Sequence, residues 1–481
     1  VRVLVIVAAA LALCVAAAAA RAPARTPGLS QTALAAPLPA GANPKGGTSL
    51  AQVVCPSKDG CVAFGTYTSG RPAGRRTLVL VWRAGGRWTA SRELVPGGLT
   101  AAACPALGSC VGARSGERRG YVLSEQGRRW AETPVQLPGS PSSAWPMLPS
   151  VSCGSPGNCT AVGSFRNPVL EPLVVSESGG RWQAGVSPPL PPTAATAPAA
   201  GSTDAGGGLS LVSCPQAGTC AAVGTYTDEA SSGQDGWLLD ERAGQWGAGE
   251  TMPLPADAAP FGDPERGGTS PFFGFSGLAC PSAGECTAVG GYWGRGDVEQ
   301  GLIETEHDGV WMPAVRAPVP SNAGLNTASA NAFESPLEAV ACAAAGDCAA
   351  AGWYLDTEGR RHGLLLSEHG GVWQARELRL PSGVSPGAGV DLRSVACPAP
   401  GACVAVGETV DHGRARGLLV AERGGVWARA LTAALPANAR GGRSVLTSVA
   451  CVSSRRCTAV GYSVARSGRT RGLLIGLSFA R

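Results

Sequence analysis

Histidine and methionine are scarce in this chain, with 4 and 3 copies among 481 residues. So few imidazoles and thioethers leave little material for a metal centre or an acid–base relay. There is no C-x-x-C pair, no G-x-S-x-G elbow, no calcium loop and no phosphate-cradling loop. Thioredoxin-like redox chemistry, serine-elbow hydrolysis and nucleotide binding therefore lack their signatures, and no cofactor is expected. Past Ala20 no apolar run is long enough to span a bilayer. Charged residues make up only 15% and the formal net charge is +5, a modest basic excess compatible with a neutral partner.

What is abundant is turn chemistry. Gly 69 and Pro 38 make up about a fifth of the chain, below the level that argues disorder. At the N-terminus Arg2 precedes an apolar run from Val3 to Ala20, and Ala18 and Ala20 offer an A-x-A cleavage site before Arg21. That is the anatomy of a secretory signal. Residues 1–27 are expected to be a signal peptide with a short spacer, and 28–481 a single domain, secreted or held at the cell surface. Membrane attachment would come only through an uncleaved signal segment or through lipidation of Cys14. In the latter case Leu13 stands where a lipobox wants a small residue.

Cys14 aside, every cysteine belongs to a C-x5-C pair: Cys55/Cys61, Cys104/Cys110, Cys153/Cys159, Cys214/Cys220, Cys280/Cys286, Cys342/Cys348, Cys397/Cys403 and Cys451/Cys457. Structural zinc needs four ligands gathered together and prefers shorter spacings, and no histidine stands inside any of these loops. The pairs read as eight disulfides across tight hairpins, with no metal. Loop residues such as Pro281-Ser282-Ala283-Gly284-Glu285 are turn formers.

Each pair opens a longer repeat. The seventh copy runs LRSVAC…CVAVG, a variable loop, then RGLLVAERGGVWARALTAALP. Four short β-rich runs per unit, punctuated by glycine and proline, are the pattern of a β-propeller blade. Trp88, Trp130, Trp182, Trp246, Trp311, Trp373 and Trp427 open the fourth run of the first seven copies. One tryptophan at a fixed place per blade is expected to pack between neighbouring blades. The eighth copy has no fourth run, but SQTALAAPLPAGA (30–42) matches the Leu-Pro ending of the others without the tryptophan. The fold expected is all-β: an eight-bladed propeller whose split last blade takes its outer strand from residues 28–42, leaving no open sheet edge between the two ends.

The phrase S-V-[AS]-C-P-x-x-x-x-C-x-A-V-G followed by L-L-x-x-E-x-G-G-x-W resembles the secreted cysteine-pair repeat proteins of high-GC actinobacteria, over essentially all of residues 30–481. The resemblance implies a propeller-like fold and carries no assigned chemistry. The turn SEHGGVW (367–373) is similar to the Asp-box of sialidase propellers, with one residue fewer and Glu368 directly after the serine. Kelch and WD signatures are absent.

In such a ring the disulfide loops and the E-x-G-G-x-W turns share one face and hardly vary. The other face varies and is the expected binding face. Two features stand out on it. Arg414, Arg416, Arg466, Arg469, Arg471, Arg71, Arg75, Arg76, Arg114, Arg118 and Arg119 fall in four consecutive blades, an arc suited to an anionic wall polymer or acidic polysaccharide. A plain solvated rim is the competing reading. Nucleic acid is not expected, because aromatics do not interleave these arginines. The second feature lies at blades four to six, where Phe272, Phe273 and Phe275, with Trp293 and Trp353, neighbour Asp228, Asp235, Asp297 and Glu299. Aromatic faces beside carboxylates suit a sugar-binding cleft, although phenylalanines under a long loop also serve as core. Arg295-Gly296-Asp297 spells an adhesion tripeptide that chance supplies readily in such a chain. The four histidines read as surface residues, His307 and His369 in C–D turns and His362 and His412 in B–C loops.

These observations point to a monomeric binding or adhesion module for a glycan, cell-wall polymer or extracellular protein. A glycosidase or lyase on the same scaffold is the alternative, with Asp228/Asp235 or Asp297/Glu299 as its carboxylate pair.

Overall fold

A computed structural model describes residues 29–480, apart from 71–72, 92–97, 117–118, 128, 140–144, 198–204, 232, 260–271, 297, 325–335, 440–442 and 466. The chain forms eight antiparallel sheets arranged as the blades of a propeller. Blade seven shows the plan. Its inner strand Gly389–Ala399 pairs with Ala402–Asp411, which pairs with Arg414–Arg423, which carries the outer pieces Val426–Trp427 and Leu431–Thr432. The outer strand is shorter than the sequence pattern suggests, because Ala430 N–H leaves its own sheet and donates to Arg379 C=O of blade six at 2.9 Å.

The ring closes as expected. Leu29–Ala35 pairs antiparallel with Thr470–Phe479 in the register Leu29↔Phe479 to Ala35↔Leu473, completing the blade that begins with Arg443–Ser453 and Arg456–Val464. Gln31 ties this strand to the neighbouring blade: its Nε2 donates to Thr432 C=O at 3.2 Å and its Oε1 accepts from Ala434 N–H at 2.7 Å.

The core is not one mass but eight seams, each an apolar cluster shared by two consecutive blades. All seven repeat tryptophans lie in the seam with the preceding blade, Trp427 for instance packing against Leu365 and Leu378 of blade six. The alternation of strand residues puts one face of each sheet into each seam, so every blade is buried on both sides.

All eight cysteine pairs are disulfides joining the first two strands of a blade: Cys55–Cys61, Cys104–Cys110, Cys153–Cys159, Cys214–Cys220, Cys280–Cys286, Cys342–Cys348, Cys397–Cys403 and Cys451–Cys457. Cys342 and Cys348, like Cys451 and Cys457, stand directly opposite one another in the hairpin. The pairs are the hairpin staples expected from the sequence, and they also contribute to the core. The second cysteines, Cys61, Cys110, Cys159, Cys220, Cys286, Cys348, Cys403 and Cys457, are all buried, none more than 5% exposed. The cause is strand alternation: each stands at, or for Cys110 just before, the start of its blade's second strand, with its side chain towards a seam. Cys61, Cys110, Cys159, Cys220, Cys403 and Cys457 sit within the apolar seam clusters themselves. Of the first cysteines, Cys104 and Cys214 are buried as well, while Cys55, Cys153, Cys280, Cys342, Cys397 and Cys451 are half-buried. Eight such bonds are the chemistry of an oxidising compartment. No helix among the described residues is long and apolar enough to cross a membrane.

The repeated glycines have a local cause. In the turn after Glu422, Gly424 and Gly425 both have positive φ, 57° and 76°, the backbone of a two-residue type I′ hairpin. Glycine is also needed where this turn meets the disulfide loop: Gly180 N–H donates to Gly157 C=O at 2.9 Å, and a Cβ on Gly157 would come within 2.9 Å of Gly180 N. That contact holds the disulfide loops and the C–D turns on one face.

Two further repeat positions serve the seams. The serine three residues before the first cysteine of its pair bonds to the next inner strand, Ser394 Oγ accepting from Val449 N–H at 3.2 Å and Ser448 Oγ from Val53 N–H at 3.1 Å. The glutamate of L-L-x-x-E joins a clasp. Trp182 Nε1–H donates to Ser124 Oγ at 2.7 Å and Ser124 donates to Glu177 Oε1 at 3.0 Å, across blades two and three.

Candidate functional site

On the variable face, the seam between blades five and six opens into a pocket of about 40 Å³ lined by Glu299, Gln300, Arg316, Trp353 and Tyr354. Glu299 and Gln300 come from the strand Val298–His307, Trp353 and Tyr354 from Asp347–Leu355, and Arg316 from the outer piece Val315–Arg316. The pocket thus unites Glu299 and Trp353, two residues singled out in the sequence, with three that were not.

Its walls are fixed by hydrogen bonds. Asp257, from the connection between blades four and five, accepts from Tyr292 OH at 2.7 Å and from Gln300 Nε2 at 3.4 Å, and lies 3.7 Å from Arg316 Nη1. Tyr354 OH donates to Asn322 Oδ1 at 3.1 Å and Asn322 Nδ2 donates to Glu377 Oε2 at 3.1 Å. The other Glu377 oxygen is 3.0 Å from His362 Nδ1, whose Nε2 is 2.9 Å from Asp356 Oδ2. Asp356 in turn accepts from the backbone N–H groups of Glu358 and Arg360 and from Arg360 Nε, each at 2.9 Å. Those bonds, led by the Arg360 N–H, hold its carboxyl far below the usual carboxylate range. The His362 ring stacks on Tyr354 at 5.4 Å.

His362 therefore corrects the surface-loop reading. It lies within the strand Arg361–His369, its side chain only 13% exposed, because the third strand runs further than the sequence pattern marked. His307 and His369 end their strands at Glu285 and Asp347, and His412 sits in the turn after Asp411.

The other candidates separate. Phe272 is 3% exposed and belongs to the seam core of blades four and five, with Phe275 edge-on to it at 5.1 Å. Trp293 (9%) and Trp353 (4%) are strand residues, and Arg361 lies over the Trp353 ring at 4.2 Å while bonding Asp391 at 2.8 Å. Phe272, Trp293 and Trp353 are thus too deeply buried to offer a ligand open stacking faces. Asp228 closes its own loop, accepting from Ser231 N–H and Oγ at 2.9 Å. Burial, and secondarily the nearby Asp228, pushes Asp235 up to about 6, while Tyr226 OH approaches it at 3.4 Å. Asp297 and the Phe273 side chain lie outside the described residues.

In the arginine arc, Arg75, Arg119, Arg414 and Arg469 are exposed. Arg75 Nε donates to Thr66 Oγ1 at 2.9 Å and Arg76 Nε to Ser69 Oγ at 3.4 Å. Arg416 is half-buried on the strand Arg414–Arg423. Arg114 pairs with Glu132 and lies over Tyr121. Arg471 donates to Gly46 and Pro44 carbonyls at 3.1 and 2.9 Å, fastening the segment that enters blade one. Arg71, Arg118 and Arg466 lie outside the described residues.

The larger openings are on the other face. Clefts of about 560 and 520 Å³ lie in the seams of blades eight and one and of blades five and six, beside the disulfide loops. The second is walled by Glu285, Glu306, His307 and Glu368, and the Cys286 and Cys348 staples border it. Attention to loop variability alone missed this face. The signal available was the departure of single copies from the repeat, such as Gly476 where blades two to six carry serine, threonine or aspartate.

No known protein family matches the chain, and no curated protein does. Among solved structures it is similar to Chaetomium thermophilum Sqt1, with 12% identity and TM-score 0.47 over 90% of this chain and 95% of that one. It is similar to the Dos1 propeller at 8% identity and TM-score 0.45, over 90% and 93%. It is also similar to YCF48 bound to D1 peptide, at 12% identity and TM-score 0.37, over 96% and 97%. At these values none bears on what the chain does, and the propeller assignment rests on the sheet topology itself.

Proposed function

We propose that this chain is an exported, disulfide-stapled propeller that binds a glycan or hydroxyl-rich cell-wall polymer at the variable face of blades five and six. Residues 1–27 would supply its export signal and a short spacer, in keeping with the secreted cysteine-pair repeats it resembles. The observation that carries the reading is the convergence of Glu299, Gln300, Arg316 and Tyr354 on one pocket beside Trp353. Both donors and acceptors for hydroxyls are held there by Asp257 and Asn322. At about 40 Å³ the pocket accepts a hydroxymethyl or hydroxyl group, not a whole ring, so a polymer would be read by its edge as it crosses the face. The exposed arginines of the arc favour an anionic polymer running on towards blades seven, eight and one.

The oxidised chain, titrated with purified glycans and wall polymers, should bind without releasing product. Arg316→Ala and Glu299→Gln should weaken binding about tenfold, the scale of one charged hydrogen bond. Binding that ignores both substitutions refutes the pocket. Loss with rising salt assigns the energy to the arginines instead.

A carbohydrate-active enzyme is favoured by one observation, the carboxyl of Asp235 pushed up to about 6 beside Asp228, the pattern of a general acid. Product release abolished by Asp235→Asn, with ligand still bound, would decide for it.

A further inference from the structure

The seam between blades seven and eight breaks the repeat at three positions. In the seam before it, Trp427 Nε1–H donates to Ser367 Oγ, and Ser367 bonds Glu422. One blade on, Ala421 stands at the serine position and Leu477 at the glutamate position, and the outer strand Leu29–Ala35 contains no tryptophan. An opening of about 110 Å³ lies in this seam, lined by Leu419, Trp427, Phe479 and three arginines, Arg379, Arg423 and Arg429. That is of the order of the cavity of about 150 Å³ that accepts one benzene ring.

Its charge is unbalanced. Among the described residues no acidic side chain lines the opening. Arg379 and Arg429 each give one N–H to a backbone carbonyl, of Trp427 at 2.9 Å and Leu380 at 2.7 Å. Arg423 lies over the Phe479 ring, 3.9 Å from its centroid, and its buried Nη2 has no hydrogen-bond partner. Burial and the neighbouring Arg455 disfavour its charge. A buried guanidinium N–H without an acceptor is costly, and an anion would relieve it with a charge-assisted, bidentate pair.

We propose that this opening is a binding site for an aromatic carboxylate, its ring taking the place that the tryptophan fills in the other seams and its carboxylate pairing with Arg423. Both halves of the ligand follow from the site: the apolar floor of Leu419, Trp427 and Phe479 selects the ring, and the arginines select the anion. A free aromatic acid and the C-terminal aromatic residue of a peptide share this chemistry.

The test is titration of the full oxidised chain with benzoate, followed by Trp427 emission, calorimetry and melting temperature. Benzoate should bind and raise the melting temperature, while uncharged benzamide should do neither. Arg423→Gln should weaken benzoate at least tenfold. Leu29→Trp, which returns an indole to this seam, should abolish binding in a chain that still melts cooperatively. N-acetyl-Gly-Phe binding more tightly than benzoate assigns the site to a peptide terminus, and weaker binding assigns it to a free acid. The proposal is overturned if folded wild-type protein ignores benzoate, if Arg423→Gln binds it equally well, or if inorganic phosphate competes as strongly as benzoate does.

Discussion

The hydroxyl of Ser367 on blade six lies 2.5 Å from Oε1 of Glu422 on blade seven, and the same hydroxyl oxygen accepts from the Trp427 indole at 2.8 Å. One hydroxyl thus satisfies two buried groups of the next blade. Ser367→Ala should destabilise the protein by about 1–3 kcal/mol, because both partners are left unmet. Burial already raises the Glu422 carboxyl and Ser367 counters it. The cost should therefore be greater at pH 8, where the unfolded carboxyl is ionised, than at pH 4. Urea denaturation at the two pH values checks the difference.

The closing strand is held at its edge as well as by its sheet. Gln31→Ala removes both bonds to residues 432–434 and should cost about 1–2 kcal/mol. Deleting Leu29–Ala35 strips the outer partner from Thr470–Phe479 along seven register pairs. Amide exchange should then rise along Thr470–Phe479 first, while blades three to five keep their protection. Uniform loss of protection would show that the ring has no local weak point.

Glu304 is fully buried at a position where blade seven carries Val420, and neither carboxylate oxygen has a hydrogen-bond partner. Burial pushes it up to about 9, from an ordinary 4.5. The folded state therefore keeps a proton that the unfolded state loses, so stability falls as pH rises between these values and levels off above them. Glu306, pushed up to about 7 by burial and then by Asp240, adds to the slope in the same direction. Glu304→Gln should flatten the decline, and Glu304→Leu should raise the melting temperature at pH 8. Denaturation midpoints at pH 5, 7 and 9 provide the readout.

Each disulfide joins residues only six apart in sequence. Replacing Cys342 and Cys348 together by serine should cost about 2–3 kcal/mol and leave the fold intact, since the hairpin register is also set by its strands. Because Cys348 is buried, the alanine pair should be tolerated better than the serine pair, which leaves a hydroxyl to be satisfied in the seam. Reduction of all eight pairs should lower the melting temperature far more. A single replacement that unfolds the chain would mean that the seams contribute less than their burial suggests.

The blade count, the cysteine staples, the seam tryptophans and the split last blade were legible because each recurs at a fixed period, which chance does not produce. The pocket was legible only in part. Glu299 and Trp353 could be picked out as a carboxylate and an aromatic on the variable face, but Asn322, His362 and Glu377 come from three different segments of blade six and its entry loop. Their partnership is set by where the third strand ends, and strand ends are weakly coded in alternating sequence. Phe272 and Trp293 illustrate the converse: an aromatic at a strand end looks the same in sequence whether its ring faces a ligand or a seam. The Ser–Glu–Trp clasp escaped notice because its members belong to adjacent copies, and comparing copies position by position hides what one copy does for the next.

The pairing of Leu29–Ala35 with Thr470–Phe479 also orders events in time. Ser30 and Ser478, bonded side chain to backbone, are separated by 448 residues. A chain made from its N-terminus presents the first of these strands long before the second exists, and contacts of such separation form late. The earlier of the two strands is thus covered only after the later one is made. Until the final blade is made, its backbone edge stays open to any passing strand, its own or another molecule's.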